Sequence, residues 1–121
     1  MGKKILVVDD DELVLIALQE LLTPLGFSVT TSGSGPAALE KLSGESFDLV
    51  ILDVIMPEMN GFEVCQKIRQ MPSYAETPVI MLTAKSGEED KRRGMEVGAN
   101  LYLPKPIAPK RLIVLVEEAM K

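Results

Sequence analysis

The hydrophobic residues of the chain fall into two patterns, which are short apolar runs and longer segments with helical spacing. Apolar residues dominate four short runs, at residues 4–8, 47–52, 79–83 and 101–103. Runs of this kind are typical of parallel strands that are buried on both faces of a sheet. Residues 27–31 alternate between apolar and polar positions instead, which predicts a fifth strand nearer the edge of the sheet.

The segments between these runs carry apolar residues at the three- and four-residue spacing of amphipathic helices. The helices predicted from this spacing cover residues 14–25, residues 34–42, a segment with Phe62, Cys65 and Ile68 on one face, residues 86–97, and a last segment that begins at Pro109. The fourth helix has few apolar residues, which predicts weak anchoring to the rest of the domain. Strands that alternate with helices in this way predict an α/β fold, with a parallel sheet covered on both faces.

Composition narrows the classes of protein to which the chain can belong. Its 121 residues suffice for a single domain, residues 1–121, and the net charge of −5 argues against direct binding to nucleic acid. The chain has no histidine, which excludes histidine-based catalysis, and its single cysteine, Cys65, cannot form an internal disulfide. No apolar run approaches the ~20 residues of a membrane span. A cytoplasmic protein without membrane contact is therefore expected.

Polar side chains follow the predicted strands at the points where the strands end. Asp9 and Asp10 follow the first strand, Asp53 follows the third, Thr83 ends the fourth and Lys105 lies just past the fifth. The carboxyl ends of parallel strands lie along one edge of a sheet, and open α/β sheets bind their ligands there. Taken singly, each of these residues is more often a cap or a solvated side chain. Chance, however, rarely places all of them at the same edge of a sheet.

The carboxylates at this edge are expected to need a cation. Two carboxylates about 4 Å apart repel each other by about 4 kcal/mol at an effective dielectric constant near 20. Hard oxygen ligands favour Mg²⁺ or Mn²⁺, of which Mg²⁺ commonly uses one or two carboxylates and retains waters. We expect Asp10 and Asp53 to be direct ligands, Asp9 to hold a metal-bound water, and the backbone carbonyl of Ile55 to supply a further oxygen.

With a metal bound, a carboxylate oxygen of Asp53 can act as a nucleophile toward a phosphoryl group. The Lys105 ammonium and the Thr83 hydroxyl are the groups that would then bind the phosphoryl oxygens. The small side chain of Ala84 leaves the approach open. The sequence therefore predicts that Asp53 is a phosphoryl acceptor.

Four motifs follow one another along the chain. They are Ile5-Leu6-Val7-Val8-Asp9-Asp10-Asp11, Leu52-Asp53-Val54-Ile55-Met56-Pro57 with Gly61, Val79-Ile80-Met81-Leu82-Thr83-Ala84, and Leu103-Pro104-Lys105-Pro106. Through these motifs the chain resembles, along its whole length, a response-regulator receiver domain of two-component signalling. This resemblance implies a flavodoxin-like, doubly wound (βα)5 fold with strand order 2-1-3-4-5, for which this family is a standard example.

The resemblance also implies a function. Asp53 would receive a phosphoryl group from a histidine kinase or a phosphotransfer protein, with Mg²⁺ bound by Asp9, Asp10 and Asp53. Thr83 and Tyr102 would move together on activation, and the Lys105–Pro106 peptide would be cis. A downstream protein would dock on the face formed by helix 87–97, the strand with Tyr102 and the final helix. Such a domain is regulatory rather than an enzyme, although it assists its own phosphorylation and dephosphorylation.

Two other functions remain open at this point. A Mg²⁺-dependent aspartyl-phosphate phosphohydrolase has a similar site, but the haloacid-dehalogenase type carries a second acid two residues after its nucleophile, where this chain has Ile55. A degenerate, unphosphorylated interaction domain is the third possibility, and the intact acids, Thr83 and Lys105 argue against it. An apolar Ile55 cannot orient water, so slow hydrolysis of the Asp53 phosphate is expected, with Lys85 as a group that could offset this.

The sequence reaches Lys121 just after the last predicted helix, so no output domain is expected in it. A stand-alone regulator and a receiver domain from a longer protein both fit this length.

Overall fold

Five parallel strands form a single sheet in the computed structural model, which describes residues 2–121. The strands are β1 (Lys4–Val8), β2 (Ser28–Ser32), β3 (Leu49–Leu52), β4 (Val79–Thr83) and β5 (Leu101–Pro104). Their order across the sheet is β2-β1-β3-β4-β5, and all four neighbouring pairs are parallel. This confirms the α/β class and the strand order that the sequence and the family resemblance predicted.

Helices cover both faces of the sheet. They are α1 (Glu12–Leu22), α2 (Gly35–Gly44), α3 (Gly61–Gln70), α4 (Glu88–Glu96) and α5 (Pro109–Ala119), with short 3-10 turns at Thr23–Leu25 and Pro72–Tyr74. Helix α1 ends three residues earlier than its apolar spacing predicts, because Pro24 lacks the N–H that would continue the α-helical hydrogen bonds, and the chain passes into the 3-10 turn Thr23–Leu25. The chain then turns at Gly26, whose φ is +97°.

Alternate residues of the central strands enter two separate apolar layers, as the side-chain period of two requires. Leu6 and Val50 lie in the layer beneath α2 and α3, whereas Ile5 and Ile51 lie in the layer beneath α1 and α5. All residues of β3 and β4 are buried, which agrees with their uninterrupted apolar sequences. The two layers fix the register of β1 and β3 at the centre of the sheet, because a shift by one residue would exchange their faces.

Helix α4 is the least embedded of the five helices. Gly94 is its one buried residue, and an added Cβ there would lie 2.6 Å from the Tyr102 ring. Because α4 contacts the Tyr102 ring through a glycine, most of its charged side chains lie in solvent. Within residues 2–121, no helix has the length and apolar character that a membrane crossing requires.

Arg69 joins three segments at the amino end of the sheet, a role that the sequence analysis did not identify. Its guanidinium donates hydrogen bonds to the carbonyl oxygens of Gly98 (2.8 Å), Tyr74 (2.8 Å) and Thr77 (2.6 Å), and to Asn100 Oδ1 (3.0 Å). The Asn100 amide oxygen also accepts a hydrogen bond from the N–H of Val79, the first residue of β4. Arg69 therefore links the end of α3 to the segments that precede β4 and β5.

Replacing Arg69 with methionine is expected to lower the free energy of unfolding by about 2–4 kcal/mol, because several partly buried carbonyls lose their donor at once. Urea unfolding followed by circular dichroism measures this change. Arg92→Met is the matched control, since Arg92 forms exposed ion pairs with Glu89 and Glu96, and its replacement should leave the free energy of unfolding nearly unchanged. Equal losses in the two variants would contradict the role given to Arg69.

Candidate functional site

The carboxyl ends of the central strands bring the predicted polar residues to one edge of the sheet. Sheet-type hydrogen bonds continue past the strand ends and hold these residues in register. The N–H of Asp9 donates to Ser32 O (3.1 Å), that of Asp53 to Val8 O (2.9 Å) and that of Lys105 to Thr83 O (2.9 Å). The backbone ladder, rather than loop flexibility, therefore sets the positions from which these side chains project.

Three carboxylates meet at this edge. Asp9, Asp10 and Asp53 each offer an oxygen that lies within 4.8 Å of the other two. Asp9 and Asp53 are buried, with relative exposures of 3% and 6%, whereas Asp10 is exposed. The cluster thus has a buried floor of two carboxylates and an open side at Asp10.

Lys105 reaches into the same cluster. Its Nζ donates to Asp9 Oδ2 at 2.6 Å and to Asp53 Oδ2 at 3.1 Å. The peptide bond that joins Lys105 to Pro106 is cis, as the family resemblance implied. A single ammonium therefore bridges the two buried carboxylates.

The site perturbs the ionisation of Asp9 and Lys105. Burial raises the pKa of Asp9 above its usual value, and this effect outweighs the hydrogen bonds from Lys105 and from the Asp11 N–H, which lower it. Burial alone would lower the pKa of Lys105, but its hydrogen bonds to Asp9 and Asp53 more than compensate, so that the Lys105 pKa is raised. The ammonium stays protonated, while the carboxylate beside it is only partly compensated.

Asp53 is held by backbone on its other oxygen. Its Oδ1 accepts hydrogen bonds from the N–H groups of Val54 (2.7 Å) and Ile55 (3.3 Å). The two oxygens of Asp53 thus have different partners, backbone N–H groups on one side and Lys105 on the other. This arrangement fixes the direction of the Asp53 carboxylate. Nucleophilic attack depends on such a defined geometry.

The loop after β3 passes directly beneath Asp53, and Gly61 makes this possible. The N–H of Gly61 donates to Val54 O at 2.9 Å. A Cβ at position 61 would lie 2.2 Å from the Asp53 carbonyl oxygen, so only glycine allows the approach. Earlier in the same loop, Glu58 has a φ of +70°, which is uncommon for a residue other than glycine. The sequence analysis included Gly61 in a motif but could not identify this packing role.

Thr83 and Tyr102 are connected through the backbone of Lys85. Thr83 is fully buried, and its Oγ1 accepts a hydrogen bond from the Lys85 N–H at 3.2 Å. The Tyr102 hydroxyl donates to the Lys85 carbonyl oxygen. Burial, together with the charges of Asp90 and Asp53, raises the pKa of Tyr102 to about 12. The structure thus brings Thr83 and Tyr102 into one hydrogen-bonded chain.

Two predicted residues lie at the rim of the site. Ile55 has a relative exposure of 53%, so its side chain is a surface feature even though its N–H contacts Asp53. The Lys85 ammonium lies 3.5 Å from Asp90 Oδ1 on α4. This ion pair places the Lys85 side chain against α4, and a role for Lys85 in holding a water or a phosphoryl oxygen stays a prediction.

The donor set fits a hard divalent cation. All three clustered side chains offer carboxylate oxygens, which Mg²⁺ and Mn²⁺ prefer over softer ligands. Three carboxylates and one ammonium leave two formal negative charges at the site, and a divalent cation would balance them. Asp10 is the exposed member of the cluster and is therefore the residue that solvent and an entering cation can reach most readily.

Comparisons with known proteins agree with this geometry. A family model described as the response regulator receiver domain matches residues 5–117. The alkaline phosphatase synthesis transcriptional regulatory protein PhoP of Bacillus subtilis is 42% identical over 121 residues, which is 100% of this chain and 50% of PhoP. The chain spans about half the length of the curated relatives that it matches.

Solved structures share the fold closely. The chemotaxis protein CheY4 of Vibrio cholerae superposes with a TM-score of 0.94 at 35% identity, covering 98% of this chain and 99% of CheY4. The BeF3-activated DrrB receiver domain superposes with a TM-score of 0.90 at 38% identity, covering 98% of this chain and 97% of that domain.

Mg²⁺ is expected to raise the melting temperature of the chain, because it binds the folded cluster and has no preformed site in the unfolded chain. At a concentration about 100 times its Kd, a ligand of this kind stabilises the folded state by about 2.7 kcal/mol. Thermal unfolding with EDTA and with MgCl₂ measures the shift. Asp10→Asn should lose most of the shift, and Glu12→Gln, which changes a nearby acid outside the cluster, should retain it. A full shift in Asp10→Asn would contradict the assignment.

Proposed function

The chain belongs to the response regulator receiver domain family, and we propose that it is a signalling switch that accepts a phosphoryl group on Asp53. The observation that carries this proposal is the geometry of Asp53. Its carboxylate is buried, is oriented by two backbone N–H groups and lies 3.1 Å from the Lys105 ammonium at the edge where the other acids meet. A carboxylate held in this way is prepared for attack on an electrophile rather than for a role in folding.

The donor that we propose is a phosphohistidine of a histidine kinase or of a phosphotransfer protein. A carboxylate oxygen of Asp53 attacks the phosphorus, an acyl phosphate bond forms and the bond between phosphorus and the imidazole nitrogen breaks. The electron pair leaves with the imidazole, which takes up a proton from solvent. The 121 residues contain no histidine, so the proposed phosphohistidine does not lie among them.

Lys105 and Thr83 are the groups proposed to bind the transferred phosphoryl oxygens. Lys105 already contacts Asp53, and its ammonium can stabilise the added charge. Thr83 uses its oxygen as an acceptor for the Lys85 N–H, so its own hydroxyl proton remains available to donate. Together these two side chains offer positive charge and a hydrogen-bond donor on the side of the cluster away from Asp10.

Asp9, Asp10 and Asp53, with the Ile55 carbonyl, would hold Mg²⁺ in the proposed site. When bound, the ion neutralises charge that develops on the phosphoryl oxygens. The burial-raised pKa of Asp9 supports this assignment, since it indicates a carboxylate for which Lys105 alone is insufficient compensation.

The change in docking surface is proposed to begin at Thr83. If the Thr83 hydroxyl moves to bind a phosphoryl oxygen, the Lys85 N–H bonded to it moves as well. The same peptide segment supplies the carbonyl that Tyr102 binds, and the Tyr102 ring packs against Gly94 of α4. A shift at Asp53 would thus reach α4 through a short series of contacts, and α4 is anchored lightly enough to respond.

The downstream partner is proposed to be a protein that binds the face formed by α4, Tyr102 and α5. Relatives such as PhoP are named as transcriptional regulators, and this chain matches only half of that protein. The net charge of −5 makes direct contact between this domain and nucleic acid unfavourable. We therefore assign to the chain the regulatory step in the cytoplasm and leave contact with nucleic acid to other proteins or domains.

A phosphohydrolase that turns over small phosphate esters is less well supported. Such an enzyme needs an acid or base near its nucleophile for the leaving group, and the residue two positions after Asp53 is the half-exposed Ile55. A regulatory acceptor has no such requirement, and a phosphoryl group that persists is an advantage for a signal.

Asp53 is expected to gain one phosphoryl group when the chain is incubated with acetyl phosphate and Mg²⁺. Intact-mass spectrometry measures the addition, and borohydride reduction followed by peptide mapping locates it. Asp53→Asn should remain unmodified. Asp48→Asn, which changes an exposed aspartate just before β3, should be modified as efficiently as the wild type. Modification of Asp53→Asn, or failure of the wild type to react, would refute the proposal.

The Asp53 phosphate is expected to be hydrolysed faster after Ile55→Asn, since a polar side chain at the rim can orient an attacking water. The predicted increase is roughly tenfold, equivalent to about 1.4 kcal/mol in the barrier. Release of inorganic phosphate from the purified phosphorylated chain gives the rate. Val114→Asn, an equivalent change at an exposed position on α5, is the control. An unchanged rate in Ile55→Asn would show that the side chain has no such influence.

A further inference from the structure

A small cavity lies beside the Asp53 site, between the loop that follows β3 and the helix α4. Its volume is about 250 Å³. Apolar side chains of Ile55, Met56 and Phe62 form part of its wall. The cavity lies on the side of α4 that faces α3, whereas the proposed output face lies on the side of Tyr102 and α5. It is therefore a surface distinct from the proposed output face.

The polar side chains that line this cavity are all hydrogen-bond donors. Lys85 and Arg93 contribute an ammonium and a guanidinium at its mouth. Asn60 also lines it, and the Asn60 oxygen already accepts a hydrogen bond from the Glu63 N–H (3.0 Å), which leaves its amide N–H groups free to donate. The Lys85 ammonium is paired with Asp90, so the Arg93 guanidinium is the positive charge that stands beside this apolar wall, in a chain with a net charge of −5.

Arg93 is held in position without a carboxylate partner. Its guanidinium lies 4.4 Å from the centroid of the Phe62 ring, within the range of a cation–π contact. The ion pairs on α4 join Lys85 to Asp90 and Arg92 to Glu89 and Glu96, and none found in the described part of the chain includes Arg93. The planar guanidinium is thus oriented by the ring, and its N–H edge is available for a bidentate contact with a carboxylate.

We propose that this cavity docks a segment of a partner protein in which a large apolar side chain stands next to a carboxylate. The apolar side chain enters the cavity against Ile55, Met56 and Phe62, and the carboxylate binds Arg93. The volume favours a protein segment, since small-molecule sites usually measure about 300–1,000 Å³, whereas one leucine- or phenylalanine-sized anchor fits a pocket of this size. The positive charge of Arg93 favours an acidic residue next to that apolar side chain in the partner segment.

This docking site does not require phosphorylation of Asp53. Arg93 and Phe62 lie outside the carboxylate cluster, so the site can be tested on the unphosphorylated full chain. Failure of the phosphorylation experiments would therefore leave this inference intact. Failure of the docking experiment would likewise leave the proposed phosphorylation of Asp53 intact.

The test is a titration of the isotope-labelled chain with acetyl-Ala-Phe-Glu-Ala-amide, followed by heteronuclear NMR. Saturable shifts are expected at the cavity residues, with a Kd on the order of 1–10 mM, as befits a short peptide with one anchor. The matched peptide with glutamine in place of glutamate should bind at least about fivefold more weakly. The peptide with alanine in place of phenylalanine should show no saturable shifts at the cavity.

Protein variants supply the second arm of the experiment. Arg93→Gln is expected to weaken binding of the glutamate peptide by roughly fivefold to tenfold and to abolish its preference over the glutamine peptide. Lys91→Gln removes an equal charge from the same helix outside the cavity. It should leave the affinity for the glutamate peptide and the preference over the glutamine peptide unchanged. Spectra of Arg93→Gln that match the wild type away from α4 will establish that the fold is retained.

Several results would overturn the proposal. These are the absence of saturable shifts, equal affinity for the glutamate and glutamine peptides, equal losses in Arg93→Gln and Lys91→Gln, and shifts that map to the α5 face. Tighter binding of hydrocinnamate, a small apolar carboxylate, than of the peptide would assign the cavity to a metabolite rather than to a protein.

Discussion

The crowding of carboxylates at the carboxyl edge of the sheet is the constraint on which the rest of the structure depends. Asp9 and Asp53 are buried side by side, and each contacts the single ammonium of Lys105. That ammonium cannot compensate three acids, so the edge retains a strong demand for positive charge. The demand explains why the site suits a divalent cation and an incoming phosphoryl group together, since each makes the other easier to bind.

The surrounding backbone serves to hold this unfavourable arrangement in place. Strand-type hydrogen bonds extend to Asp9, Asp53 and Lys105, and the loop that contains Gly61 packs against the Asp53 carbonyl more closely than any side chain would allow. Burial of β1 and β3 in two apolar layers provides the stability that offsets the repulsion. The site is thus rigid where the reacting groups lie, which is the condition for oriented chemistry.

Helix α4 is the least embedded of the five helices, and the proposed response depends on this contrast with the site. The helix packs through Gly94 against the Tyr102 ring, and Arg93 adds a contact with Phe62. One hydrogen-bonded segment, at Lys85, joins this lightly held helix to Thr83. The proposed output face and the cavity beside Phe62 both include residues of this helix. A displacement of α4 would therefore alter both surfaces, so partners on the two sides would influence each other's affinity.

The sequence by itself determined the sheet, the order of its elements and the residues at its active edge. Uninterrupted apolar runs define buried strands, and polar residues at or just past the end of a run must lie at the carboxyl edge, so Asp9, Asp53, Thr83 and Lys105 could be placed there from position alone. Contacts between distant segments follow no such periodicity. The Arg69 bonds to Gly98 and Tyr74, the need for glycine at position 61 and the direction of the Lys85 side chain were decided only by tertiary packing, because each depends on where a long side chain or a loop finds its partner in space.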